Sequence, residues 1–219
     1  MEIVSAARWM VREGVRTPLS WILGASLALL GLSLGAASPL GILAGGNLNN
    51  SYLGSIWFLS SYCGAIVGLL LLDRAGSVWD ELSLARQVWV GGLLLVAVST
   101  IYGCAGILPL RLFGPELLPW SGALLCAAHW SAQASFVQRI GSSLPGKCIA
   151  LACLGWWIPA VLGSSPAWAR VDWVLSPERH LEAHAGSIET SVGALVDTIP
   201  IVAWWVAAAL LPTRTALKR

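Results

Sequence analysis

Residues 52–72 read YLGSIWFLSSYCGAIVGLLLL, 21 positions without a charged side chain, closed by Asp73-Arg74. A helix needs roughly 20 apolar residues to cross about 30 Å of hydrocarbon. The apolar run is continuous rather than alternating, so it reads as a spanning helix. A membrane barrel would show alternating segments of roughly ten residues instead. Working outward, five more stretches of this kind appear at 19–43, 88–110, 117–137, 148–164 and 192–211. The fifth is the shortest, carried by Ile149, Leu151, Leu154, Trp156, Trp157, Ile158, Val161 and Leu162. Hydrophobic residues make up 57% of the chain and charged ones 11%, against about 25% charged in a typical soluble domain. Mean hydropathy is +0.74. The expectation is an all-α polytopic membrane protein of six transmembrane helices, with little chain left for a soluble catalytic domain.

Basic residues orient it. The side holding the N-terminus carries Arg8, Arg12, Arg16, Arg74, Arg86, Arg139, Lys147, Arg214, Lys218 and Arg219; the opposite side carries Arg111, Arg170 and Arg179. That asymmetry over short loops follows the positive-inside rule. It predicts both termini in the cytoplasm and a multi-pass chain in the cell's inner (plasma) membrane. The first apolar region runs longer than the core of a signal peptide, which argues for a retained helix. Cys63, Cys104, Cys126, Cys148 and Cys153 lie in or at the ends of spans, so no disulfide framework is suggested.

Between the spans, three segments carry pattern. Residues 1–17 form a cytoplasmic amphipathic helix: Ile3, Val4, Ala7, Met10, Val11 and Val15 share an arc, and Arg8, Arg12 and Arg16 recur at i, i+4, i+8. Such a helix lies in the interface with its arginines towards anionic headgroups, or serves only as an anchor. Thr17-Pro18 reads as an N-cap followed by proline in the first turn, opening the single transmembrane domain 18–219. Within 73–87, Ser77 can cap a short helix that places Val78, Leu82 and Ala85 on one face and Asp80 and Glu81 on another. The longest outer segment, 165–191, holds a helix start at Ser176-Pro177-Glu178 and a stop at Gly186.

Candidate chemistry is sparse. Gly141-Ser-Ser-Leu-Pro-Gly146-Lys147 has the spacing of a phosphate-binding loop, but Cys148 replaces the hydroxyl residue and the context is a turn between membrane helices. It is read as a basic turn, with no ATPase in this chain. His180 and His184 stand at i, i+4, a zinc spacing. Glu189 or Asp172 would have to supply a third ligand, and no metal site is assigned. His129 and Gln133 lie at i, i+4 within the fourth span, where polar groups face other helices or a cavity. Asp197, near the start of the last span, either sits at the interface or needs a partner such as Arg170 or Arg179. His129, Gln133 and Asp197 are the candidate pathway residues.

Two motifs in this layout resemble the ABC-2 family of ABC transporter permeases. The first is Asp73-Arg74-Ala75-Gly76-Ser77-Val78-Trp79-Asp80-Glu81-Leu82-Ser83-Leu84, similar to the family's coupling helix between spans two and three. The second is Ser176-Pro177-Glu178 running through His180 and His184 to Gly186-Ser187-Ile188-Glu189, similar to the segment before span six in the small gliding-motility and copper-enzyme-maturation exporter permeases. The proline that usually follows the coupling helix is absent, and Gly91-Gly92 stands where the family has Gly-Lys.

The resemblance implies a permease subunit that moves a solute, most often outwards, as a dimer with a second copy or a related permease. Separate cytoplasmic ATPase subunits would bind the ATP and Mg²⁺; no cofactor is expected in this chain and no nucleic-acid partner. Gly76, Ser77, Val78, Trp79, Asp80, Glu81 and Leu82 would couple to the ATPase. Ser176, Pro177, His180, His184 and Gly186 would belong to an outer gate in a re-entrant segment. The alternatives are a non-transporting scaffold or assembly subunit, and an intramembrane enzyme using His129 or a metal at His180 and His184.

Overall fold

The structure is a computed structural model. It describes residues 8–9, 12–13, 15–26, 29, 50–80, 83–108, 120–141, 143–162, 169–184 and 191–211, with backbone alone at 50–53, 76–80, 84–85, 169–170, 172, 182–184 and 191–194. Among the described residues all regular structure is helical. The named elements are α1 (Asn50–Asp80), α2 (Leu84–Ile107), α3 (Trp120–Ile140), α4 (Leu144–Ala152), a π turn (Cys153–Trp157), α5 (Ile158–Leu162), α6 (Ala169–Leu175), α7 (Arg179–His184) and α8 (Ser191–Leu210). Gly54–Ala75, Arg86–Ile107 and Leu144–Leu162 are long and apolar enough to cross a membrane, and they mark the chain as a membrane protein.

The N-terminal helix is interrupted at Thr17, where the sequence indicates. Helical positions lie on both sides of Thr17, and Pro18 opens the second stretch, 18–26. The Thr17 hydroxyl, which as an N-cap would accept from an N–H of the helix that follows, is engaged elsewhere. It donates to the Glu13 carbonyl at 2.8 Å and receives Arg74 Nη1 at 2.9 Å. Tyr102 of α2 donates to the Ser20 carbonyl at 2.8 Å. Helix 18–26 thus lies against α1 and α2, with Trp21 and Ile22 exposed. The remainder of the expected first span lies outside the described residues.

The segment expected to form a separate helix from Ser77 does not break away. Gly76 to Asp80 continue α1 without interruption. No proline interrupts 73–80, and one glycine in a helix costs only about 1 kcal/mol relative to alanine. Ser83 then precedes α2, its carbonyl accepting from Gln87 N at 2.9 Å.

α1 and α2 run antiparallel along a seam of small residues. A Cβ on Gly64 would fall 2.6 Å from Ser99 Cα, and one on Gly68 would fall 2.5 Å from Leu95 Cδ2. This spacing of small residues at i, i+4 lets backbones approach closely, which matters where lipid and side chains are equally apolar and packing drives association. At the far end Trp57, fully buried, lies edge-on to Trp120 and donates to the Ala123 carbonyl at 2.8 Å.

α3 is the centre of the bundle, touching α1, α2, α4, α7 and α8. Its residues Cys126 to Gln133 are buried apart from Ala128. A helix enclosed by other helices need not present an apolar surface to lipid, so α3 tolerates His129, Ser131, Gln133 and Gln138. The outward face of α4–α5 is the opposite case, exposing Ile149, Trp156, Trp157 and Val161. The π turn has a local cause. Pro159 has no N–H to offer the preceding turn, and Ile158 N instead reaches back five residues to the Cys153 carbonyl.

The seam yields a direct check. Gly68→Ile should lower stability in detergent by about 1–3 kcal/mol through overpacking. Gly24→Ala, at a helical site with open space around its Cβ, should leave the melting temperature unchanged or slightly raised. Equal melting temperatures for the two variants would remove the close-packed seam.

Candidate functional site

α3 sets the site. His129 and Gln133, four residues apart, project from one face of the helix, and both are fully buried. Opposite them the chain leaves α6, turns through Ser176-Pro177 and enters α7. Ser176, His180 and Leu181 are all buried. His129 Nδ1 lies 2.9 Å from His180 Nε2, with ring centroids 5.2 Å apart. Gln133 Nε2 donates to the Leu175 carbonyl at 2.6 Å and lies 3.4 Å from His129 Nε2. Trp204 Nε1 of α8 donates to the Val174 carbonyl at 3.0 Å. The last two carbonyls of α6, which have no partner within their own helix, are therefore satisfied by side chains from α3 and α8.

This contact lies deep. His129 is nine residues beyond the first residue of the 21-residue α3, about 13 Å along a helix of roughly 30 Å. The 169–184 segment thus folds back into the middle of the bundle. Gly155 of the π turn admits the close approach from the other side: a Cβ there would collide with the Trp130 ring and fall 2.7 Å from Gln133 Oε1. Phe58 and Tyr62 of α1 pack on the opposite side of Trp130, with centroids 5.1 and 5.0 Å away.

A second polar cluster ties helices at the other end of α3. Lys147, 1% exposed, forms an ion pair with Asp73. The same Asp73 oxygen accepts from Gln138 Nε2 at 3.2 Å. Tyr62 donates to the Cys148 carbonyl at 3.1 Å. α1, α3 and α4 are held together there by one carboxylate and one phenol.

Of the residues singled out by sequence, His129, Gln133, His180 and the turn at Ser176-Pro177 come together. α7 begins at Arg179, after the Ser176-Pro177-Glu178 turn rather than within it. His184 lies at the end of α7, its side chain not described, and Gly186, like Glu189, lies outside the described residues. His180 faces His129, and among the described residues no three His, Cys, Asp or Glu side chains converge on a metal position. Asp197 is on the second turn of α8, half-buried. Gly76, Ser77, Val78, Trp79 and Asp80 are placed by backbone alone in the last turns of α1, and Glu81 and Leu82 lie outside the described residues. The five cysteines carry free thiols.

Sequence reasoning missed the Asp73–Lys147 pair and the partnership of His129 with His180. A signal existed for each. Asp73 and Lys147 both sit at the edge of an apolar run on the same basic side, and the chain's three histidines fall only at 129, 180 and 184. No protein-family model, curated protein or solved structure matches the chain.

The ion pair predicts an order of effects. Asp73→Asn leaves a buried ammonium without its counter-charge and should cost about 3 kcal/mol or more. Lys147→Met leaves a carboxylate that is 30% exposed, which water can reach, and should cost less. Thermal unfolding of the purified variants in detergent reads the order; a milder Asp73→Asn would contradict it. Gln133→Leu strands the Leu175 carbonyl and should cost about 1–3 kcal/mol, with faster proteolysis within 169–184 as the local readout.

Proposed function

We propose that the chain is the transmembrane permease subunit of an ABC-2-type transporter. In this reading it crosses the inner membrane six times with both termini in the cytoplasm, pairs with a second permease copy and exports a solute using separate ATPase subunits. The observation that carries the reading is the α6–α7 pair. It precedes the last long helix, carries the Ser176-Pro177 motif and reaches His129 at mid-depth of the central helix. In this reading a helix pair lodged at that depth would close a route between the bundle centre and the outer face, and its withdrawal would open one. The 10-to-3 division of basic residues supports the orientation.

ATPase motion would enter through residues 76–84, where by the sequence resemblance Val78, Trp79 and Leu82 would be apolar knobs and Asp80 and Glu81 the rim. Lys147, tied to α1 through Asp73, gives that movement a route into the membrane helices. The Gly141–Lys147 motif has no nucleotide to bind in this scheme; Ser143 caps α4 and Leu144 to Lys147 form its first turn.

Co-purification tests the proposal. The native complex should bring down a P-loop ATPase, and Trp79→Ala should reduce its recovery about tenfold, the loss of some 1.4 kcal/mol from an interface anchor. A complex with other membrane subunits, no ATPase and no ATP-dependent flux would make the chain a scaffold instead.

A further inference from the structure

We propose that His129 and His180 form one shared proton-binding site, and that proton uptake by this site releases α7 from α3. The inference rests on the permease reading only for its consequence, the opening of a gate; the site itself stands on geometry. Both rings are buried and face each other across a 2.9 Å Nδ1···Nε2 gap. A contact of that length holds one hydrogen: one nitrogen donates and the other presents its lone pair.

Proton bookkeeping gives the behaviour. With both rings neutral, one N–H lies in the gap and the latch is closed. One added proton converts one ring to imidazolium, which donates to the remaining neutral ring, so the contact survives and strengthens as a charge-assisted bond. A second proton places N–H against N–H, with two like charges about 5 Å apart between ring centroids, and no acceptor remains in the gap. Release therefore takes two protons. Once His180 lets go, α6 is still tied to the long helices by the His129 contact with the Val174 backbone, the Gln133 bond to the Leu175 carbonyl and the Trp204 bond to the Val174 carbonyl.

The charged and titratable side chains on the elements packed around the pair shape its response. They include Cys126 and Arg139 of α3, Asp172 of α6, Glu178 before α7, Arg179, Glu182 and His184 of α7, Cys153 of the π turn, Tyr62 and Asp73 of α1 and Asp197 of α8. The Val174 and Leu175 carbonyls present the negative end of α6 to the same cluster.

The histidine census makes the test clean. With ¹⁵N-histidine labelling and His184→Gln, His129 and His180 are the only labelled rings. The labelled chain in lipid nanodiscs should show a nitrogen–nitrogen coupling across the gap at neutral pH. That coupling should survive the first protonation and vanish with the second, while amide exchange over 169–184 rises at least about tenfold with a proton dependence steeper than one. His180→Gln should abolish both the coupling and the pH dependence of exchange while the chain still folds, shown by an unchanged melting profile outside 169–184. Two rings that titrate independently without coupling, or exchange over 169–184 that ignores pH, would overturn the proposal. None of these readouts needs an ATPase or flux, so a failed site and a failed permease reading are told apart by the co-purification result.

Discussion

A backbone carbonyl away from water must find a donor inside the protein, and this requirement organises the bundle. α6 ends among other helices, leaving the Val174 and Leu175 carbonyls without intrahelical partners. Inside a membrane each such group left unpaired costs several kcal/mol. Gln133 and Trp204 supply the missing donors. That need places a glutamine in the middle of α3, which in turn requires α3 to be enclosed by other helices rather than faced with lipid. The enclosure is what the small-residue seam of α1 and α2, the π turn and α8 together provide.

Close approach is the second consequence. Large side chains such as Trp130 and Trp57 fill the centre only because glycines face them. At Gly155 the backbone itself becomes the surface against which Trp130 and Gln133 lie. The π turn follows from Pro159 one turn later, and it adjusts the helix where it meets the polar cluster. Rings from Phe58 and Tyr62 pack against Trp130, and the exposed Trp156 lies edge-on to Phe58 at the surface of the π turn. Polar contacts and aromatic packing thus converge on the same few residues of α3, with Gln133 Oε1 and Trp130 Nε1 buried there without a hydrogen-bond partner among the described residues.

Much of the helical layout was legible because apolar run length is a local property. Residues 52–72 announce a helix on their own, and α8 is helical to within a residue of the expected apolar stretch, although only its Leu195–Leu210 part is apolar and it is not among the three helices long enough to cross a membrane. The interruption at Thr17-Pro18 was legible for the same reason, since proline acts on its own turn. The break expected at Gly76-Ser77 was not observed, because a glycine and a serine weaken a helix without ending it when tertiary contacts on Asp73 and Arg74 hold the preceding turn. His129 and Gln133 could be flagged as groups needing partners, whereas His180 could not be named as that partner. The pairing depends on α6–α7 folding inwards, and 51 residues separate the two histidines. Lys147 hid behind its neighbours: in Gly146-Lys147 it reads as a turn residue, and only the fold shows it to be buried.

The two polar clusters are joined by α4. Lys147 anchors its first turn to Asp73, and Gly155 sets the π turn against Gln133; eight residues, about 12 Å of helix, separate them. A displacement of the α1 end must either carry α4 with it or be absorbed between these points. Breaking the buried ion pair costs about 3 kcal/mol or more. Rearranging one hydrogen bond in the π turn costs about 1 kcal/mol. The two clusters therefore differ in how their ties are made: a charge pair at the Asp73 end, and at the other a set of hydrogen bonds shared among His129, His180, Gln133 and the α6 carbonyls.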